Sequence, residues 1–136
     1  MFRPKSIPGS MKGGIMKQFN LPMILVIDDD PSVLNVLGAI LTTLGCHVET
    51  ALGGKEGTRK FDSCHFDIVI TDINMPDLDG NGVADHIRNS GKSVQIIGIS
   101  GIPRTIEQER RFDMFLAKPF LMEQLRQAVL EGAVSA

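Results

Sequence analysis

The stretch MILVIDDDP, Met23 to Pro31, decides the fold. Met23 to Ile27 is an unbroken apolar run, the signature of a strand buried on both faces, and it delivers three carboxylates at its carboxyl end. Asp30-Pro31 then offers a helix N-cap followed by proline at the first helical position, where a missing N–H costs nothing. Val33, Val36, Leu37, Ile40, Leu41 and Leu44 follow at spacings of three, one, three, one and three. That is one face of an amphipathic helix, which Gly45 closes. A doubly buried strand feeding straight into an amphipathic helix is the repeating unit of a parallel α/β sheet.

The cycle recurs along the chain. Strands are predicted at Cys46 to Ala51, Asp67 to Thr71, Val94 to Ile99 and Met114 to Ala117. Helices are predicted from Gly54 to Phe61, Gly82 to Asn89, Thr105 to Arg111 and Leu121 to Leu130. Five strand-helix units imply a parallel sheet with helices on both faces. No internal repeat or low-complexity tract interrupts them, and residues 23–132 read as one domain with a short tail at 133–136. Residues 1–22 mix Pro, Gly, Ser and Lys without apolar periodicity and read as a flexible basic leader, left over from expression or from an upstream start.

A chain of 136 residues with 43% apolar and 22% charged side chains has the composition of one globular core. Its formal net charge of -2 excludes a strongly basic nucleic-acid coat, although Arg3, Lys5, Lys12 and Lys17 make the acid-free leader basic. A basic arm touching membrane or nucleic acid is the sharper reading of that leader. For the domain itself neither partner is expected. No apolar run has the length of a membrane span and the leader lacks a signal peptide's hydrophobic stretch, so a cytoplasmic location is expected. The two cysteines form Cys46-His47 and Cys64-His65 pairs, which invite a Cys2His2 metal reading. Neighbouring residues on a strand point to opposite faces, so each pair reads instead as a small apolar thiol beside a surface imidazole.

In an open α/β sheet, ligands bind beyond the carboxyl ends of the strands. The first predicted strand ends there in Asp28, Asp29 and Asp30, the third in Asp72, the fourth in Ser100, and the fifth in Lys118 followed by Pro119. Crowded carboxylates raise one another's pKa unless a cation joins them, and hard oxygen donors of this kind suit Mg²⁺. No Gly-rich loop follows the first strand and no phosphate-loop motif is present, so the ligand is smaller than a nucleotide. An ionised aspartate beside a divalent cation and a lysine can attack phosphorus and form an acyl phosphate. Each unit charge pair at 4 Å is worth about 4 kcal/mol at an effective dielectric of 20, so the cation is obligatory for a phosphoryl group to enter.

These residues resemble the receiver domains of bacterial two-component response regulators, the single-domain chemotaxis regulators among them. The resemblance rests on Ile24 to Pro31, Asp67 to Gly80, Ser100-Gly101 and Lys118-Pro119-Phe120, and covers Met23 to Gly132. It implies a flavodoxin-like (βα)5 doubly wound sheet of order 2-1-3-4-5. It also implies that Asp72 is the phosphoacceptor, that Asp28 and Asp29 hold Mg²⁺ with Asp29 the direct ligand and Asp28 acting through water, and that Asn74 offers its backbone carbonyl. Ser100 matches the hydroxyl that binds a phosphoryl oxygen and moves inward on activation, Lys118 matches the lysine that pairs with it, and Lys118-Pro119 is expected to be cis. The implied donor is a sensor histidine kinase or histidine phosphotransfer protein. The implied output is an unidentified protein partner or a separate output domain.

The match loosens after Ser100. Eighteen positions separate Ser100 from Lys118, fewer than is usual for the family, so the fourth helix is expected to be short and an output interface on that face is not carried over. Phe115 stands where the family often carries a switching aromatic, with core packing as its plain alternative. Ile102 replaces a polar residue found in some fast self-dephosphorylating members, which implies a longer-lived phosphoryl group. Gly80 reads as a turn glycine and Pro76 as loop rigidity. Phe120-Leu121-Met122-Glu123 opens the last helix without an Asp, Ser or Asn cap. An aspartate-nucleophile phosphatase would want an acid two residues after Asp72, where Asn74 stands, and a phosphorylation-independent interaction module would not need the intact acids and lysine.

Overall fold

The computed structural model describes residues 21–101 and 110–135. Among the described residues the elements follow in the order β1 (Met23–Asp28), α1 (Pro31–Thr43), β2 (His47–Leu52), α2 (Gly54–Ser63), β3 (Ile68–Asp72), α3 (Gly80–Asn89), β4 (Gln95–Ser100), β5 (Met114–Ala117) and α4 (Met122–Ser135). The strands form one parallel sheet of order β2-β1-β3-β4-β5, the flavodoxin-like order. The helix expected at 105–111 lies outside the described residues except for Arg110 and Arg111, which are helical. Ile102 and most of the leader also lie outside them.

The sheet divides the core in two. Leu25 and Ile27 of β1, Val69 of β3 and Ile96 of β4 face a layer built by Phe61 of α2 and by Val83, Ala84 and Ile87 of α3. The alternate residues Ile24, Val26, Ile68, Ile70, Ile97 and Ile99 face Leu34, Leu37 and Leu41 of α1 and Leu125, Ala128 and Val129 of α4. Every residue of β1 and of β3 is buried, which is why both read as apolar runs. Cys46 packs in the α1/α4 layer and Cys64 against the opposite one, so the two Cys-His pairs do not meet.

Three local readings are corrected by packing. The buried stripe of α1 is Leu34, Leu37 and Leu41, while Val36, predicted to be core, is 57% exposed. Residues 34, 37 and 41 repeat with a helical period of their own, and only the position of the sheet selects that stripe. Strand β2 begins at His47 because the residue before it completes a helix stop. Gly45, at φ 96°, donates its N–H to the Thr42 carbonyl and Cys46 donates to that of Leu41, the paired bonds of a Schellman motif. Helix α4 runs to Ser135, past the predicted Leu130 and through most of the expected tail. Its inner face continues in Gly132, a small residue that carries no apolar signal but lies against Ile68. The missing cap at its start is supplied by Gln124, whose side-chain oxygen accepts the Leu121 N–H at 2.7 Å, the reverse half of a capping box.

The two stripes of α1 separate in a denaturation experiment. Leu34→Ala should cost about 2–5 kcal/mol, whereas Val36→Ala should stay within about 0.5 kcal/mol. Equal shifts of the urea midpoint would contradict this placement.

Candidate functional site

β1 and β3 are adjacent at the centre of the sheet, and their register pairs Ile27 with Thr71. The next residue of each strand, Asp28 and Asp72, therefore emerges abreast at the carboxyl edge. With Asp29 they form the one group of three or more metal-capable side chains among the described residues, one oxygen from each lying within 4.8 Å of the others. Asp28, Asp72 and Ser100 are buried and Asp29 is exposed.

The third aspartate of the run does not join them. Asp30 caps α1, accepting the Ser32 N–H at 2.9 Å and the Ser32 hydroxyl at 2.7 Å. β5 brings Lys118 to the same edge, where its Nζ lies 3.0 Å from Asp72 Oδ1 and its backbone N–H donates to the Ser100 carbonyl at 3.0 Å. The Lys118-Pro119 peptide is cis, in line with the resemblance.

Beyond Asp72 the chain is tied back at once. Ile73 donates its N–H to the Ile99 carbonyl of β4 and its own carbonyl accepts the Gly80 N–H, at 3.1 and 2.8 Å. Ile73 and Met75 are buried anchors, and exposed Asn74 stands between them. Gly80 is no positive-φ turn glycine. It opens α3 pressed against the Asp72 carbonyl and the Ile73 Cα, where a side chain would collide with backbone. Asp79 caps the same helix by accepting the Gly82 N–H at 2.9 Å, a role legible in hindsight from an aspartate four residues before the buried Val83-Ala84 pair. Phe115 is half-buried on β5, stacked beside Phe112.

Burial dominates the electrostatics of Asp28. Loss of water raises its pKa from an ordinary 3.8 to about 6, the Asp30 N–H opposes the rise, and the negative charges of Asp72 and Asp29 add to it. Its Oδ1 accepts that N–H at 2.9 Å, whereas buried Oδ2 has no hydrogen-bond partner among the described residues. Burial works against the Lys118 ammonium as well, but the Asp72 hydrogen bond and the surrounding carboxylates outweigh it and hold its pKa above the ordinary value. Among the described residues three carboxylates face one ammonium, and one buried oxygen lacks a donor. A hard divalent cation of the Mg²⁺ type, which takes oxygen ligands and keeps several waters, fits this donor set.

A family model described as the response regulator receiver domain matches residues 24–130. The chain belongs to this family. The receiver is 36% identical over 108 residues to the sensor histidine kinase AtsR of Burkholderia thailandensis, a match covering 74% of this chain and 18% of the kinase. It is 33% identical over 116 residues to the tetrathionate response regulatory protein TtrR of Salmonella typhimurium, covering 82% of this chain and 56% of that protein. The chain thus spans only a minor part of the sensor kinases, and about half of that regulator. Among solved structures, a receiver domain protein of Clostridium thermocellum superposes with a TM-score of 0.79 at 29% identity, covering 85% of this chain and 96% of that one. The response regulator TrrA of Thermotoga maritima, solved in complex with Mg²⁺ and BeF, superposes with a TM-score of 0.77 at 32% identity, covering 82% and 99%. Among the described residues no helix is long and apolar enough to cross a membrane.

The Asp28 shift has a pH signature. The folded chain holds this proton up to about pH 6 and the unfolded chain only to about 3.8, so folding takes up a proton between those values. Without divalent cation, the stability of the wild type relative to Asp28→Asn should fall as pH rises through that window, by up to roughly 3 kcal/mol. Saturating Mg²⁺ should reverse the trend, because the ion competes with the proton for the same carboxylate. Thermal melts at pH 4.5 and 7, with and without Mg²⁺, read both effects. A pH-independent difference between the two proteins would contradict the burial of a titrating Asp28.

Proposed function

We propose that this receiver accepts a phosphoryl group on Asp72 in a Mg²⁺-dependent reaction and signals through the conformational change that follows. The observation that carries the reading is the Asp72 carboxylate itself, buried between an ammonium 3.0 Å away and two further carboxylates within 4.8 Å. A buried nucleophile with a fixed cation on one side and an acidic cation cradle on the other is built to receive a charged electrophile.

Asp28 and Asp29 would hold Mg²⁺ together with Asp72 and the backbone carbonyl of Asn74. Bound there, the ion neutralises phosphoryl oxygens and fixes their orientation. The chain's own residues do the rest. A carboxylate oxygen of Asp72 attacks phosphorus in line while the P–N bond of a phosphohistidine donor breaks, and the donor imidazole leaves with the bonding electron pair. Lys118, held in its charged form by the acids around it, pairs with the product's oxygens. Ser100, on the neighbouring strand, offers its hydroxyl to the same group. Phosphorylation can shift the conformation only through contacts that differ between the two states, and Ser100 and Lys118, with Phe115 as a further switch element, supply them.

The donor on this reading is a sensor histidine kinase or a histidine phosphotransfer protein in the cytoplasm. The similarity to segments of sensor kinases and to a response regulatory protein supports that donor class. The recipient of the signal is a protein partner or an output domain. Asn74, standing two residues after Asp72 where an aspartate-nucleophile phosphatase would want an acid, supports a phosphoacceptor over a turnover enzyme.

Incubation with acetyl phosphate and Mg²⁺ should add one phosphoryl group by intact mass. Asp72→Asn and a chelator should each abolish the adduct. A folded protein that takes no label would favour a receiver that binds its partners without phosphorylation.

A further inference from the structure

Gly98 sits in the middle of β4, on the face that carries Ile96 before it and Ser100 after it. A Cβ at Gly98 would lie 2.8 Å from Cε1 of Phe115 and 2.9 and 3.0 Å from Cδ2 and Cε2 of Phe112. The two rings therefore occupy the side-chain volume that the glycine gives up. They stack with centroids 4.8 Å apart at an interplanar angle of 44°, a tilted contact of the favourable kind.

Phe112 is not free to leave this notch, because the backbone on both sides of it is clamped. Arg88, near the end of α3, donates from Nε and Nη2 to the Arg111 carbonyl at 3.0 and 2.8 Å, and from Nη2 to the Asp113 carboxylate at 2.8 Å. Its Nη1 reaches the Val94 carbonyl at 3.0 Å. Asp113 locks into β4 in turn, its carboxylate accepting the Ile96 N–H at 2.7 Å and its own N–H donating to the Ile96 carbonyl at 2.8 Å. One planar guanidinium thus joins α3, the entry to β4 and the entry to β5, a geometry that an ammonium cannot reproduce. Phe112 is buried within this frame, while Phe115 is half-buried and has Phe112 as a wall.

We infer that Phe112 is a positioning residue for Phe115: clamped by Arg88 and seated in the Gly98 notch, it confines the Phe115 ring to the face of β4 that ends in Ser100 and restrains the receiver's resting conformation. Close-packed rings change rotamer only where a neighbour yields space, and here that neighbour is tethered at both ends. The link to resting conformation rests on Asp72 being the phosphoacceptor, since it is phosphorylation that would call on Ser100 and its neighbours to move. The placement of Phe115 by Phe112 does not.

The test uses the full chain. Without any phosphoryl donor, three-bond couplings from the Phe115 backbone nitrogen and carbonyl carbon to its Cγ read χ1. They should report one rotamer in the wild type and averaged values in Phe112→Leu. Single-rotamer values should persist in Leu125→Ala, a core truncation in the layer on the opposite face of the sheet, and averaging there as well would overturn the assignment to Phe112. Arg88→Lys keeps the charge and loses the fork, so it should also average the couplings, and it decides the matter if Phe112→Leu does not fold. Single-rotamer couplings in folded Phe112→Leu, or in Arg88→Lys in its place, would overturn the inference. With acetyl phosphate and Mg²⁺, the unrestrained variant should label about five-fold faster than wild type, and equal rates would overturn the regulatory half. A wild type that takes no label would remove the phosphoacceptor reading, and the couplings would still decide the role of Phe112.

Discussion

Folding removes the Asp28 carboxylate from water, leaving it 2% exposed, and among the described residues only one of its two oxygens has a hydrogen-bond donor. That cost organises the carboxyl edge of the sheet. A lone carboxylate so placed would stay protonated at mild acidity, and two more beside it raise the penalty. The arrangement becomes favourable when positive charge arrives. Among the described residues the fold supplies one such charge, Lys118, just past the strand at the far edge of the sheet, and the remaining acidic group fits a cation.

Helix α3 carries the consequence across the molecule. Its first residue, Gly80, is pressed against the Asp72 carbonyl and the Ile73 backbone, and near its last turn Arg88 grips the residues on both sides of Phe112. A helix is stiff over this length, so the backbone of the acceptor and the entrance to β5 are referred to one rigid element. This also explains why a glycine is needed at position 80. The requirement is proximity of backbone to backbone and not left-handed φ, so alanine would displace the acceptor loop even though its conformational preferences suit a helix.

The amino-acid pattern made much of this legible. Apolar runs at β1 and β3 and the Asp30-Pro31 start of α1 appear where the periodicities of two and 3.6 residues place them. Gly45 ends α1 by the left-handed turn expected of it. The pattern misled where neighbours chose among equivalent local options. Val36 and Leu34 lie on overlapping helical stripes of similar hydrophobicity, and only the sheet beneath them decides which is buried. The end of α4 was hidden because small Ala128 and Gly132 continue its inner face, and its start because a glutamine side chain reaches back to cap it.

Sequence by itself determined the order of strands and helices, the doubly covered sheet and the residue types delivered to its carboxyl edge, because those depend on short-range periodicity and on caps within a few positions. The tertiary structure alone decided how closely Asp28 and Asp29 approach Asp72. It alone decided that Asp28 loses its water, that Gly80 is a close approach, and that Phe112 fills the space above Gly98. Each of these is a matter of distance between segments far apart in the chain, and burial, charge coupling and steric exclusion act through space, where the local pattern carries no information.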